Sequence, residues 1–132
     1  MKLLLVDDEE EFIFALAERL ELRGLAPLVV LDGEQALRTI ERESIDTVLL
    51  DLKMPGIGGL EVLRRVKQKH PHVKVVMLTG HGSEKDEEEA LRCGAFAYLR
   101  KPARIEEIVA VLRETSGDAQ GLPGSSPRPA GT

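Results

Sequence analysis

Five short aliphatic segments recur along this chain, at 2–6, 28–31, 45–50, 73–78 and 96–99. Each is too short to be a stable helix, and several are apolar at consecutive positions. This reads as strands buried on both faces. Between and after them, apolar residues recur at helical spacing. Strand and helix therefore alternate five times, and this constrains the fold more than any other feature. The pattern predicts one α/β domain, a parallel sheet covered by helices on both faces, joined by right-handed crossovers.

The intervening segments carry their own start and stop signals. The acidic run Asp7-Asp8-Glu9-Glu10-Glu11 suits the first turn of a helix, where free N–H groups carry partial positive charge. Phe12, Ala15, Leu16 and Leu20 form its expected inward stripe, and Gly24 its C-terminal cap. Asp32 is placed to cap a second helix with Ala36, Leu37 and Ile40 inward. A loop with three glycines and a proline, 54–59, leads into a helix with Leu60, Leu63 and Val66 inward, ended by His70-Pro71. Ser83-Glu84-Lys85-Asp86 resembles an N-terminal capping pattern. In the helix after it only Ala90 and Leu91 are apolar, so little anchors it to a core. Ile105, Ile108, Val109 and Leu112 give the clearest helical stripe of all. From Ser116 the composition shifts to Gly, Pro, Ser and Ala. The domain is expected over 1–116, with 117–132 a disordered tail or linker.

Composition narrows the function. The formal net charge of -5 and a pI near 5.3 argue against direct nucleic-acid binding, which needs a basic face. The single cysteine, Cys93, excludes an internal disulfide and a Cys-based zinc site. The apolar start is too short for a signal peptide, and no run approaches membrane-span length. The expectation is a cytoplasmic protein.

The chemistry gathers at the strand ends. The first strand runs into Asp7-Asp8, the third into Asp51, the fourth into Thr79, and Lys101 follows the fifth. An open α/β sheet places its ligand site at this edge, where strand order switches. Clustered carboxylates repel unless a cation intervenes. A hard divalent ion with oxygen ligands, Mg²⁺ or Mn²⁺, suits them and keeps coordination positions for phosphate oxygens. A nearby lysine ammonium supplies a second positive charge, as phosphoryl transfer requires.

Leu-Val-Asp7-Asp8, Leu-Leu-Asp51-Leu-Lys-Met-Pro55-Gly56, Leu-Thr79-Gly-His-Gly and Tyr98-Leu-Arg-Lys101-Pro102 occur in this order, each at a strand end. Together they resemble the CheY-like response-regulator receiver domains of two-component signalling, over about residues 2–115. The resemblance implies a flavodoxin-like (βα)5 fold with strand order 2-1-3-4-5. It implies that Asp51 accepts a phosphoryl group from a sensor histidine kinase or phosphotransfer protein. Asp8, Asp51 and the Lys53 backbone carbonyl would hold Mg²⁺, with Asp7 acting through water. Thr79 and Lys101 would contact the phosphoryl group, Tyr98 would act with Thr79 as a switch, and Lys101-Pro102 would be a cis peptide. Lys53 and His81 stand where the family tunes phosphate lifetime. Gly58 departs from the family, which often has Asp there. The face of the fourth helix, fifth strand and fifth helix would meet a downstream protein or a C-terminal output domain, or form a dimer.

Two other readings are weighed beside this one. A receiver-like docking or dimerisation module would not need the acid cluster, Thr79 and Lys101. A Mg²⁺-dependent phosphatase with an aspartyl-phosphate intermediate often has a second Asp two residues after the nucleophile; here that residue is Lys53. No cap domain is evident to enclose a substrate, so no independent substrate turnover is expected.

Overall fold

The computed structural model describes residues 1–117, so the expected tail from 118 onward lies outside the described residues. Ten elements alternate along the chain: β1 (Leu3–Val6), α1 (Glu10–Glu21), β2 (Leu28–Val30), α2 (Gly33–Arg42), β3 (Thr47–Leu50), α3 (Gly59–Lys69), β4 (Lys74–Thr79), α4 (Glu84–Arg92), β5 (Ala97–Arg100) and α5 (Ile105–Thr115). The strands pair in parallel in the order β2-β1-β3-β4-β5. This is the flavodoxin-like order.

The pleat explains why the central strands are apolar throughout. Successive side chains point to opposite faces. Leu4, Val6, Val48, Leu50, Val75 and Met77 pack on one side, beneath Ala36 and Ile40 of α2, Val62, Leu63 and Val66 of α3, and Ala90 of α4. Leu3, Leu5, Leu49, Val76 and Leu78 point the other way, against α1 and α5. With helices on both faces, neither face can be polar.

Register then sets the site. Val6 lies opposite Leu50, and the Asp51 N–H donates to the Val6 carbonyl at 3.0 Å. Asp7 and Asp51 are therefore neighbours, each one step beyond its strand. β4 runs to Thr79, which pairs in register with Arg100, immediately before Lys101.

Several local expectations hold. Asp32 caps α2 by accepting from the Gln35 N–H at 2.8 Å. Ser83 and Asp86 form a reciprocal capping box on α4. Gly24 takes φ +86° just past α1, a conformation glycine adopts without strain. No helix among the described residues is long and apolar enough to cross a membrane.

The inward face of α1 is a correction. Its buried residues are Ile13, Leu16, Ala17 and Leu20, whereas Ala15 is exposed and Phe12 half-buried. Apolar residues from Phe12 to Ala17 run without a break, so their spacing leaves two neighbouring stripes open. Docking on the sheet chose between them and left Phe14 about half exposed at 49%. In α3, Val62 joins Leu63 and Val66 in the core, and Leu60 is only half-buried. β5 starts one residue later than expected: Phe96 is exposed and donates its N–H to the Val75 carbonyl at 2.7 Å.

Candidate phosphoryl-acceptor site

One carboxylate oxygen from each of Asp7, Asp8 and Asp51 lies within 4.8 Å of the other two. Asp7 and Asp51 are each only 2% exposed, and Asp8 is open to solvent. Burial pushes the Asp51 carboxyl above its usual range, and the charge of Asp7 pushes the same way; the Thr79 hydroxyl and the Lys101 ammonium act against both. Asp51 Oδ1 also accepts from the Leu52 N–H at 2.8 Å. Among the described residues, the site thus holds more negative charge than the Lys101 ammonium offsets. An all-oxygen donor set with one open side fits a hard divalent cation, which would relieve that excess.

Lys101 reaches into this cluster from the residue after β5. Its Nζ lies 2.8 Å from Asp7 Oδ2 and 2.7 Å from Glu9 Oε1. The Lys101-Pro102 peptide is cis, as expected. Thr79 is buried at the end of β4, and its Oγ1 accepts from the His81 N–H at 3.1 Å. Lys53 sits exposed two residues past Asp51. The structure therefore brings Asp7, Asp8, Asp51, Thr79 and Lys101 to one edge of the sheet.

Tyr98 lies apart from the acids, on β5. Its ring packs against the cluster beneath α2, α3 and α4, and its buried hydroxyl has no hydrogen-bond partner among the described residues. The hydroxyl occupies the space a side chain at Gly82 would need, close to Leu52. Arg100 sits 5.4 Å from the Tyr98 ring centroid, donates to the Gly82 carbonyl at 3.0 Å and pairs with Glu87 of α4 at 2.7 Å. Tyr98 and Arg100 thus connect the loop after Thr79 to α4.

Four contributors escape a reading of the sequence. Gly59 opens α3 directly over the acceptor loop: a Cβ there would overlap the Asp51 carbonyl oxygen and lie 2.9 Å from Leu52 Cα. Gly82 and Arg100 look like ordinary loop and strand-end residues. Glu9 is one of five consecutive acids, and nothing in that run singles it out.

A family model described as "Response regulator receiver domain" matches residues 3–113. The chain belongs to the response-regulator receiver family. The receiver is 45% identical over 112 residues to the transcriptional regulatory protein CpxR of Escherichia coli (strain K12), covering 85% of this chain and 47% of that protein. It thus spans about half the length of this curated relative. A solved receiver domain from Clostridium thermocellum superposes with a TM-score of 0.83 at 34% identity, covering 92% of this chain and 98% of that one. A solved response regulator from Burkholderia pseudomallei, described as carrying a phosphorylated aspartic acid, a calcium ion and citrate, gives a TM-score of 0.79 at 29% identity, covering 96% and 75%. A receiver is a signalling switch, not an enzyme with an independent substrate.

Proposed function

We propose that Asp51 of this receiver accepts a phosphoryl group from a sensor histidine kinase or phosphotransfer protein. The observation that carries this is the gathering of Asp7 and Asp8 around a buried, reluctantly ionised Asp51. The phosphorylated aspartic acid of the Burkholderia regulator supports it. Mg²⁺ or Mn²⁺, held by Asp8, Asp51 and the Lys53 carbonyl with Asp7 through water, would supply charge neutralisation. An Asp51 carboxylate oxygen attacks phosphorus, the bond to the donor's leaving group breaks, and that group departs with the electron pair. Thr79 donates its hydroxyl to the new phosphoryl oxygens, and Lys101 pairs with them.

The output is a change in α4 and β5. Of α4 only Ala90 is buried, and Leu91 is 46% exposed. Surface ion pairs reinforce the attachment, Glu89 to Arg64 at 3.1 Å and Glu87 to Arg100 at 2.7 Å. Exposed pairs of this kind hold weakly, at roughly 0–1 kcal/mol each. An element so lightly packed opens at low cost and suits a switch. Thr79 moving toward the phosphoryl group would pull on the Gly82 loop, and Tyr98 and Arg100 would pass that pull to α4. The face of α4, β5 and α5 then meets a downstream protein, a second copy or an output domain, in the cytoplasm.

The test is intact mass after incubation with acetyl phosphate, with and without Mg²⁺. A gain of one phosphoryl group, dependent on Mg²⁺, is expected; no gain under either condition returns the chain to a docking module. Hydrogen exchange with and without beryllofluoride tests the output. Altered protection within 83–100 is expected, and unchanged protection there would remove α4 as the switching element.

A further inference from the structure

We propose that Glu9 holds Lys101 in a latch that competes with the phosphoryl group on Asp51, and so sets how tightly this receiver binds it. The inference deepens the phosphoryl-acceptor reading and rests on it.

The Lys101 ammonium is engaged on three sides. Asp7 takes it at 2.8 Å, Glu9 at 2.7 Å, and the Phe12 ring lies with its centroid 4.0 Å away. A lysine ammonium has three donors and attracts the face of an aromatic ring. To give a phosphoryl oxygen a short, direct contact, Lys101 must loosen one of these partners.

Burial says which. Asp7 is fixed: its side chain is 2% exposed, and its Oδ1 accepts from the Glu9 N–H at 2.9 Å. The Glu9 side chain is 52% exposed, so water can replace Lys101 there. Glu9 is the partner that yields.

Local structure points the same way. Glu9 occupies the N-cap of α1, where Ser, Thr, Asp or Asn would satisfy a free N–H. Its side chain makes no capping bond and goes to Lys101 instead. A residue that breaks a local rule commonly marks a functional demand.

The experiment uses the full chain as wild type, Glu9→Gln, Phe12→Leu and Glu11→Gln. Glu11→Gln removes an equal charge from the same turn, at a residue outside the latch. Beryllofluoride affinity is measured at fixed Mg²⁺, and the acylation rate of Lys101 relative to Lys53 is measured by mass spectrometry without Mg²⁺. Glu9→Gln should tighten beryllofluoride binding about twofold to fivefold and speed Lys101 acylation by a similar factor, the range an exposed ion pair can exert. Phe12→Leu should act in the same direction more weakly, and Glu11→Gln should leave both readouts within about twofold of wild type. Wild-type binding with no change in Glu9→Gln would overturn the latch alone. Equal effects of Glu9→Gln and Glu11→Gln would also overturn it, leaving only general charge. A wild type that binds no beryllofluoride would overturn the phosphoryl-acceptor reading and the latch with it.

Discussion

Gly59→Ala should lower the melting temperature by about 12 °C and slow phosphoryl uptake by at least about tenfold. The added methyl group would meet backbone, not a side chain that could swing aside: the Asp51 carbonyl oxygen, the Asp51 carbonyl carbon at 3.0 Å and Leu52 Cα at 2.9 Å. The Gly59 N–H also donates to the Leu52 carbonyl at 2.7 Å, pinning α3 to the acceptor loop. Relief requires α3 to lift or the loop to shift. Overpacking of this kind costs ~3 kcal/mol, which corresponds to ~12 °C for a domain of this size. The activity loss follows because the displaced atoms belong to Asp51, and an error of about 1 Å at a reacting group can cost on the order of a hundredfold. Gly58→Ala is the control: its Cβ would meet only the Leu52 carbonyl oxygen, at an ordinary 3.5 Å. Thermal unfolding of both variants checks this, and equal melting temperatures would refute the close-approach argument.

Asp51→Asn should abolish the phosphoryl adduct and, without Mg²⁺, raise the melting temperature at neutral pH. The folded state holds the Asp51 carboxyl above its ordinary value of 3.8, first through burial and then through the charge of Asp7. A raised carboxylate binds its proton more tightly folded than unfolded. Stability therefore falls as pH rises through the interval between 3.8 and the folded value, and the loss is complete above it. Asparagine carries no charge and escapes that loss. Removing a buried carboxylate held above its ordinary range therefore raises the melting temperature above that of the wild type. The advantage should vanish toward pH 3, where Asp51 is protonated in both states. Mg²⁺ should narrow it from the other side by stabilising the folded wild type. Melting curves across pH, with and without Mg²⁺, check each arm. An Asp51→Asn variant no more stable than wild type at pH 7 without Mg²⁺ would mean that Asp51 is not strained.

The acid cluster and Asp51 could be read from the chain because strand ends are visible in it. Val48-Leu49-Leu50 stops at Asp51, and Leu5-Val6 stops at Asp7. Parallel pairing then forces these ends together. Thr79 and Lys101 follow from the same reasoning. The burial of α1 did not, because six consecutive apolar residues, Phe12 to Ala17, leave the inward face open by one helical step.

The sequence by itself determined the alternation of elements, the fold that alternation permits, and the residue types at the sheet's edge. Hydrophobic period and turn chemistry are local properties, and they are written in order along the chain. Tertiary structure decided what depends on distance between remote segments. Lys101 meets Glu9 across a separation of 92 residues, and the Gly82 loop makes room for Tyr98. Gly59 is glycine because Asp51 and Leu52 lie against it. No periodicity encodes such contacts, since each arises only when the packed sheet brings separate strand ends and helix starts within a few ångströms.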